Sequence, residues 1–324
     1  MPANTTHPDY DAALPAWLRA RDVLAGEDAV KGGGEKYLAK LESQSPDEFN
    51  AYKQRAAFFN ATARTADGFL GLIFRREPAV KIPKDNSGVG RALAAFCEDT
   101  DMQGTALPAY AQCVVSEVVG VGRAGTLVDW EGASGTGDLV EQRAFTVLYR
   151  AEQILNWRSE RVNGRNTVTL VVLREEVELA GKDEFEPNVV EQIRVLKLVQ
   201  AGPATEVSGQ TSEVRSEWRY VVEVWREEVP AGQKQRSARD KRKWVLAETR
   251  TPLRLGKALP EIPFVFHGPR HALPQIEKLP LADIIAVNLD HYRLDADYKH
   301  GLHFTALPTA WVSGFNKDSK LSIG

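Results

Sequence analysis

From residue 49 to residue 73 the apolar positions Phe49, Tyr52, Ala56, Phe59, Ala63, Ala66, Leu70 and Ile73 recur at alternating steps of three and four. That spacing puts them on one stripe of an α-helix and predicts a single long helix with an apolar seam. The start is well marked. Ser45-Pro46-Asp47-Glu48 offers an N-cap hydroxyl, a proline at the first helical position and a glutamate at the third, so two orphan amides and the helix dipole are served. The seam could meet a helix of the same chain or one of another subunit; its small Ala and Gly positions suit close internal packing. Before it, residues 10–24 carry Leu14, Trp17, Leu18 and Val23 at helical spacing, and Gly32-Gly33-Gly34 follows as a flexible break. After it, residues 90–98 and 110–119 predict a second helical pair.

That pair ends in Gly120-Val121-Gly122-Arg123-Ala124-Gly125, a match to GxGxxG. A dinucleotide site needs a strand before those glycines and a helix after them. Here a helix precedes, residues 126–130 look like a strand and residues 132–137 like a loop, so the string is expected to be a glycine-rich turn into a strand. From about Thr146 the period changes to two. Residues 158–178 contain Asn163-Gly164, a strong hairpin signal, and further strands are predicted over 192–199, 218–225, 244–249 and 262–266. Pro260, Pro263, Pro269, Pro274 and Pro280 then punctuate a linker, and helical period returns over 281–304. The order of elements predicts an α+β chain: N-terminal helices, an antiparallel sheet block, then one long helix.

The last helix has two apolar faces. Leu281, Ile285, Leu289, Tyr292 and Ala296 form one; Ile284, Val287, His291, Leu294 and Tyr298 form the other. Asp283, Asp290 and Asp297 recur every seven residues between them, joined by Arg293 and His300. A helix of this kind suits a ring wall, packed between neighbours with its acids toward a lumen, and equally a half-buried helix of a monomer.

Composition narrows the chemistry. With 43% hydrophobic residues in 324 the chain can bury a substantial core. Its net charge of -3 gives no overall attraction for nucleic acid. The dense basic run is Lys234, Arg236, Arg239, Lys241, Arg242 and Lys243, followed by Trp244; it could touch phosphates, or be a solvated loop offset by Glu227 and Glu228. Cys97 and Cys113 lack metal-ligand spacing and read as reduced thiols. His291, His300 and His303 lie near Asp290, Asp295 and Asp297, but only His300 and His303 could share a face and no HExxH pairing is present, so no metal is expected. No GxSxG string, P-loop or Cys/His dyad offers a catalytic site, and neither an enzymatic activity nor a cofactor is predicted. The N-terminus lacks a signal-peptide pattern, and no apolar run nears the roughly 20 residues a membrane helix needs.

Several separated segments resemble tailed-bacteriophage portal proteins. They are Ile262-Pro263-Phe264-Val265-Phe266-His267-Gly268, then residues 279–292 ending in Asp290-His291-Tyr292, then residues 297–314 ending in Trp311-Val312-Ser313-Gly314. Residues 21–30 and 52–74, with Phe59-Asn60-Ala61-Thr62 inside, are similar to a subgroup catalogued under a phage domain of unknown function and usually assigned as portals. The resemblance implies a structural subunit of a ring, usually a dodecamer, at one capsid vertex. Double-stranded DNA is packaged and ejected through such a ring, the terminase motor docks on it, and capsid and head-tail adaptor proteins attach to it. It implies assembly in the host cytoplasm, a virion location and no membrane. Residues 1–268 would be the wing, 269–280 a proline-rich linker, 281–306 the stem helix and 307–324 the start of the clip, with Asp283, Asp290, Arg293, Asp297 and His300 facing the channel. Because portals continue past the clip, this chain is expected to be a truncated portion. The alternative is a nucleic-acid-binding or head-morphogenesis accessory protein that uses the basic loop 234–243.

Overall fold

The computed structural model describes residues 3–82, 88–130, 143–179, 188–200, 218–227, 243–254 and 256–306. The chain is α+β, with antiparallel sheets and a long helix at its C-terminal side. It divides into two compact units. One comprises residues 1–21 and 66–281; the other comprises 22–65 together with 282 onward. Residues 22–65 thus group with the last helix.

In the first unit, α1 (Pro8–Ala25, which continues into the second unit) buries Trp17 and Ala20 and leaves Leu18 exposed. Helices α5 (Gly88–Glu98) and α6 (Leu107–Val121) are the expected pair. Strand β1 (Ala124–Trp130) follows α6 through Gly122, whose φ of 80° ends the helix in the left-handed conformation. Gly125 is demanded by packing, since a Cβ there would lie 2.2 Å from the Phe264 ring. The glycine string is therefore a helix cap and a close approach, with helix before strand, and it has the opposite order to a dinucleotide fingerprint.

Strand β2 (Ala144–Arg150) pairs with β1, and β3 (Ile154–Val162) and β4 (Arg165–Leu179) form the hairpin forecast by Asn163-Gly164. Both turn residues have positive φ, 49° and 81°, as a two-residue type I′ turn requires. Strands β5 (Asn188–Gln200), β6 (Trp218–Glu227) and β7 (Trp244–Arg250) complete a five-stranded antiparallel sheet in the order β3-β4-β5-β6-β7. A small ribbon of β8 (Leu253–Arg254) and β9 (Lys257–Ala258) follows. Strand β10 (Phe264–His267) stays out of the five-stranded sheet and pairs with β1, in a separate three-stranded sheet ordered β10-β1-β2.

Leu127, Tyr149, Phe264 and Phe266 of the smaller sheet share one apolar core with Ile154, Val171, Leu173, Ile193 and Leu196 of the larger. A partly buried ionic group borders it. Arg194 on β5 meets the carboxylates of Asp129 on β1 and Glu175 on β4, the latter 2.8 Å from its Nε but off the hydrogen-bond axis. Burial, then the Glu175 carboxylate, push the Tyr149 phenol well above its usual value, and Tyr149 donates to Glu175. A second group, at the edge of α1, has Arg21 held by Glu117 on α6 at 3.1 Å and by Glu152 at 2.8 Å.

The second unit corrects the forecast of one long helix. Helix α2 (Glu27–Gly32) and a 3-10 turn (Gly34–Lys36) occupy the expected glycine break. The capping box at Ser45 and Glu48 forms as read, and opens α3. However, α3 stops at Arg55 and α4 (Ala61–Ile73, which continues into the first unit) starts afresh. Ala56 turns extended, with ψ 141°, and the Ala57 amide donates to Asp295 at 2.7 Å. Asn60 then caps α4, its Oδ1 accepting from the Ala63 amide at 2.9 Å while its Nδ2 donates to the Leu24 carbonyl. The break moves the seam by one residue: Phe58 is buried and Phe59 is 53% exposed.

Candidate functional site

The residues of α7 (Ala282–Ala306) divide cleanly by environment. The first apolar face reads as expected: Leu281, Ile285, Leu289, Tyr292 and Ala296 are all buried. Asn288 lies within that face and is fully used. Its Oδ1 accepts from the Thr62 amide at 3.0 Å and the Thr62 hydroxyl at 2.9 Å, and its Nδ2 donates to the Phe59 carbonyl at 2.8 Å. One buried amide thus locks α7 to the start of α4, in register with the Asn60 cap.

Polar residues beside that face hold the neighbouring segments. Arg293 donates through Nε to the Tyr37 carbonyl at 2.9 Å and pairs with Asp290 at 2.6 Å. Tyr52 of α3 donates to Asp297, and burial followed by that carboxylate pushes the Tyr52 phenol up. Burial works to raise the Asp295 carboxyl, but the Ala57 amide and Lys299 at 2.9 Å outweigh it and bring it below the ordinary range. His300 sits edge-on to the Tyr52 ring and 3.3 Å from Arg55; burial, then Arg55 and His303, hold its imidazole below its usual value.

The five residues read as a channel-facing stripe therefore have mixed settings. Asp283 and Asp290 are exposed, on the side of α7 nearly opposite its buried face. Arg293, Asp297 and His300 carry contacts to α3 and to Tyr37, so they serve the unit's own packing as well. The second apolar face is uncovered in the single chain: Val287 is 69%, Leu294 68% and Tyr298 65% exposed. Of the basic run, Lys234, Arg236, Arg239, Lys241 and Arg242 lie outside the described residues; Lys243 is exposed just before β7. Among the described residues no three His, Cys, Asp or Glu side chains come together as metal ligands, and no helix is long and apolar enough to cross a membrane.

The polar anchors Asn60, Thr62 and Asn288 escaped sequence reasoning. Asn60 and Thr62 carry the local signature of an N-cap, masked by the seam running through them. Asn288 had no local signal, because its partners are more than 200 residues away in the chain.

The protein is thus of mixed α+β class, with antiparallel sheets and a C-terminal helix whose one apolar face is buried and whose other is open. Residues 280–324, beginning just before α7, are similar to a family described as a domain of unknown function (DUF4055). No curated protein matches the chain.

Proposed function

We propose that the chain is a structural subunit of a tailed-phage portal ring, a conduit for DNA packaging and ejection and the head-tail connection point, and not an enzyme. The observation that carries this reading is the second face of α7. Three large apolar side chains at seven-residue and four-residue spacing stand open to water on a helix whose opposite face is already packed, a pattern that a neighbouring subunit would cover. Asp283 and Asp290 support it further: exposed acids lining a channel repel a polyanion and let it slide. The similarity of residues 280–324 to the family of unknown function falls on this same helix, and the segments that resemble portals occur in portal order along the chain. The partners would be other copies in a ring, usually twelve, double-stranded DNA in the lumen, the terminase motor, and capsid and head-tail adaptor proteins. The location would be the portal vertex of the virion, after assembly in the host cytoplasm without a membrane.

Light scattering and negative-stain electron microscopy of the purified protein test this. Closed rings with a central hole are expected, and Val287→Ser, Leu294→Ser and Tyr298→Ser together should return monomers with an unchanged circular dichroism spectrum. Wild-type monomers at every concentration, combined with a steeply salt-dependent DNA affinity lost in Lys241→Ala/Arg242→Ala, would replace the ring with the accessory DNA binder.

A further inference from the structure

Arg123 connects the cap of α6 to β1 and is 2% exposed, as deeply buried as the apolar residues around it. Its guanidinium carbon stands 4.3 Å from the centre of the Trp157 ring and 4.8 Å from that of Phe266. Nη1 donates to the Pro274 carbonyl at 2.8 Å. Nε and Nη2 are closed to solvent and have no hydrogen-bond partner. These two donors point the same way from one edge of the guanidinium, the fork that meets two oxygens of a carboxylate or phosphate.

Two other arginines, both only partly buried, give the contrast. Arg21 and Arg194 are each given two carboxylates by the chain. Arg123 is given none; the acid that acts on it, Asp9, does so electrostatically from the first turn of α1, where its side chain is 66% exposed. Burial pushes the guanidinium down to about 10, which leaves it cationic at neutral pH. A buried cation without an anion is costly, and aromatic faces return only part of what hydration supplied.

We propose that the Nε/Nη2 edge of Arg123 is the receptor of a binding site for a small oxyanion of the carboxylate or phosphate class, formed within the first unit by Arg123, Trp157, Phe266 and the segment that carries Pro274. The aromatic rings and the Pro274 carbonyl hold the fork in one orientation before the ion arrives, which lowers the ordering cost of binding. Because the edge is closed to water, the ion enters when the segment around Pro274 moves aside. This site is independent of the ring reading and would hold whether or not the protein assembles.

Arginine Nε-H resonances of uniformly labelled protein, followed by NMR while inorganic phosphate or formate replaces chloride at constant ionic strength, test the proposal. The Arg123 resonance is identified by its contacts to the Trp157 indole and by its absence in Arg123→Lys. A saturable shift of that resonance is expected with at least one of the two ions, the tighter of them defining a tetrahedral or a planar ligand. Thermal midpoints should rise with the same ion in the wild type, and by less than half as much in Arg123→Lys. No saturable shift with either ion would overturn the site, as would an equal midpoint rise in both proteins, which would mark adventitious surface binding. Should Arg123→Lys fail to fold, the wild-type resonance, identified through Trp157, decides alone.

Discussion

The two units treat polar groups in opposite ways. The sheet unit sets charge beside its core: Arg194 with Asp129 and Glu175, and Arg21 with Glu117 and Glu152, are charges whose partners lie inside the same unit. The unit around α7 uses neutral hydrogen bonds at its centre, through Asn288, and leaves a row of large apolar side chains in water. A self-contained core tolerates charge where geometry is over-determined by several strands. On the ring reading proposed above, α7 keeps its inner face fixed by a short polar lock and leaves its outer face for a neighbouring copy.

The largest effect expected from this contrast is in the sheet unit. Arg194→Met leaves the partly buried Asp129 and Glu175 carboxylates without their cation, and urea unfolding should register a loss of about 3 kcal/mol. A loss below about 1 kcal/mol would mean that the ionic group is less closed than its burial indicates. Next comes the polar lock. Asn288→Leu removes the acceptor of the Thr62 amide and hydroxyl and the donor to Phe59, at a cost of about 2–3 kcal/mol, with hydrogen exchange at the Thr62 amide rising before that of the sheet.

The smallest effect is on pH, and it sharpens the comparison because each unit holds one depressed histidine. Burial holds His267 of β10 below its usual value; burial, Arg55 and His303 do the same to His300 of α7. Both are favoured neutral in the fold, so their contribution is complete above an ordinary imidazole pKa of about 6.5 and is lost as pH falls through their lower folded values. The thermal midpoint should therefore drop between pH 7.5 and pH 5.5, and drop less in His267→Gln, whose amide can still meet the Thr126 hydroxyl now 2.8 Å from the imidazole. An identical drop in that variant would assign the titration to the α7 unit.

How far the sequence could be read depended on whether the signal was local. The Asn163-Gly164 turn and the Ser45-Glu48 cap appear where they were expected, since each is a contest among a few neighbouring backbone groups. The buried face of α7 was legible because its apolar spacing is regular over four turns. The seam from Phe49 to Ile73 misled for the same reason: spacing continued through Asn60, although Asn60 caps a new helix and Asp295 captures the Ala57 amide. The departure of β10 to pair with β1 left no mark in its own residues, as any apolar strand can join either sheet edge.

The sequence by itself therefore determined the order and period of most elements, the Ser45 cap, the Asn163-Gly164 turn and the two-sided character of α7, all of which follow from side-chain spacing and short-range hydrogen bonding. Tertiary structure alone decided which strand joined which sheet, where the long apolar seam broke, which polar residues of α7 hold α3, and that Arg123 would be buried without a carboxylate of the chain beside it. Those outcomes depend on groups more than a hundred residues apart meeting in space, and a chain's local pattern carries no record of partners it acquires only on folding.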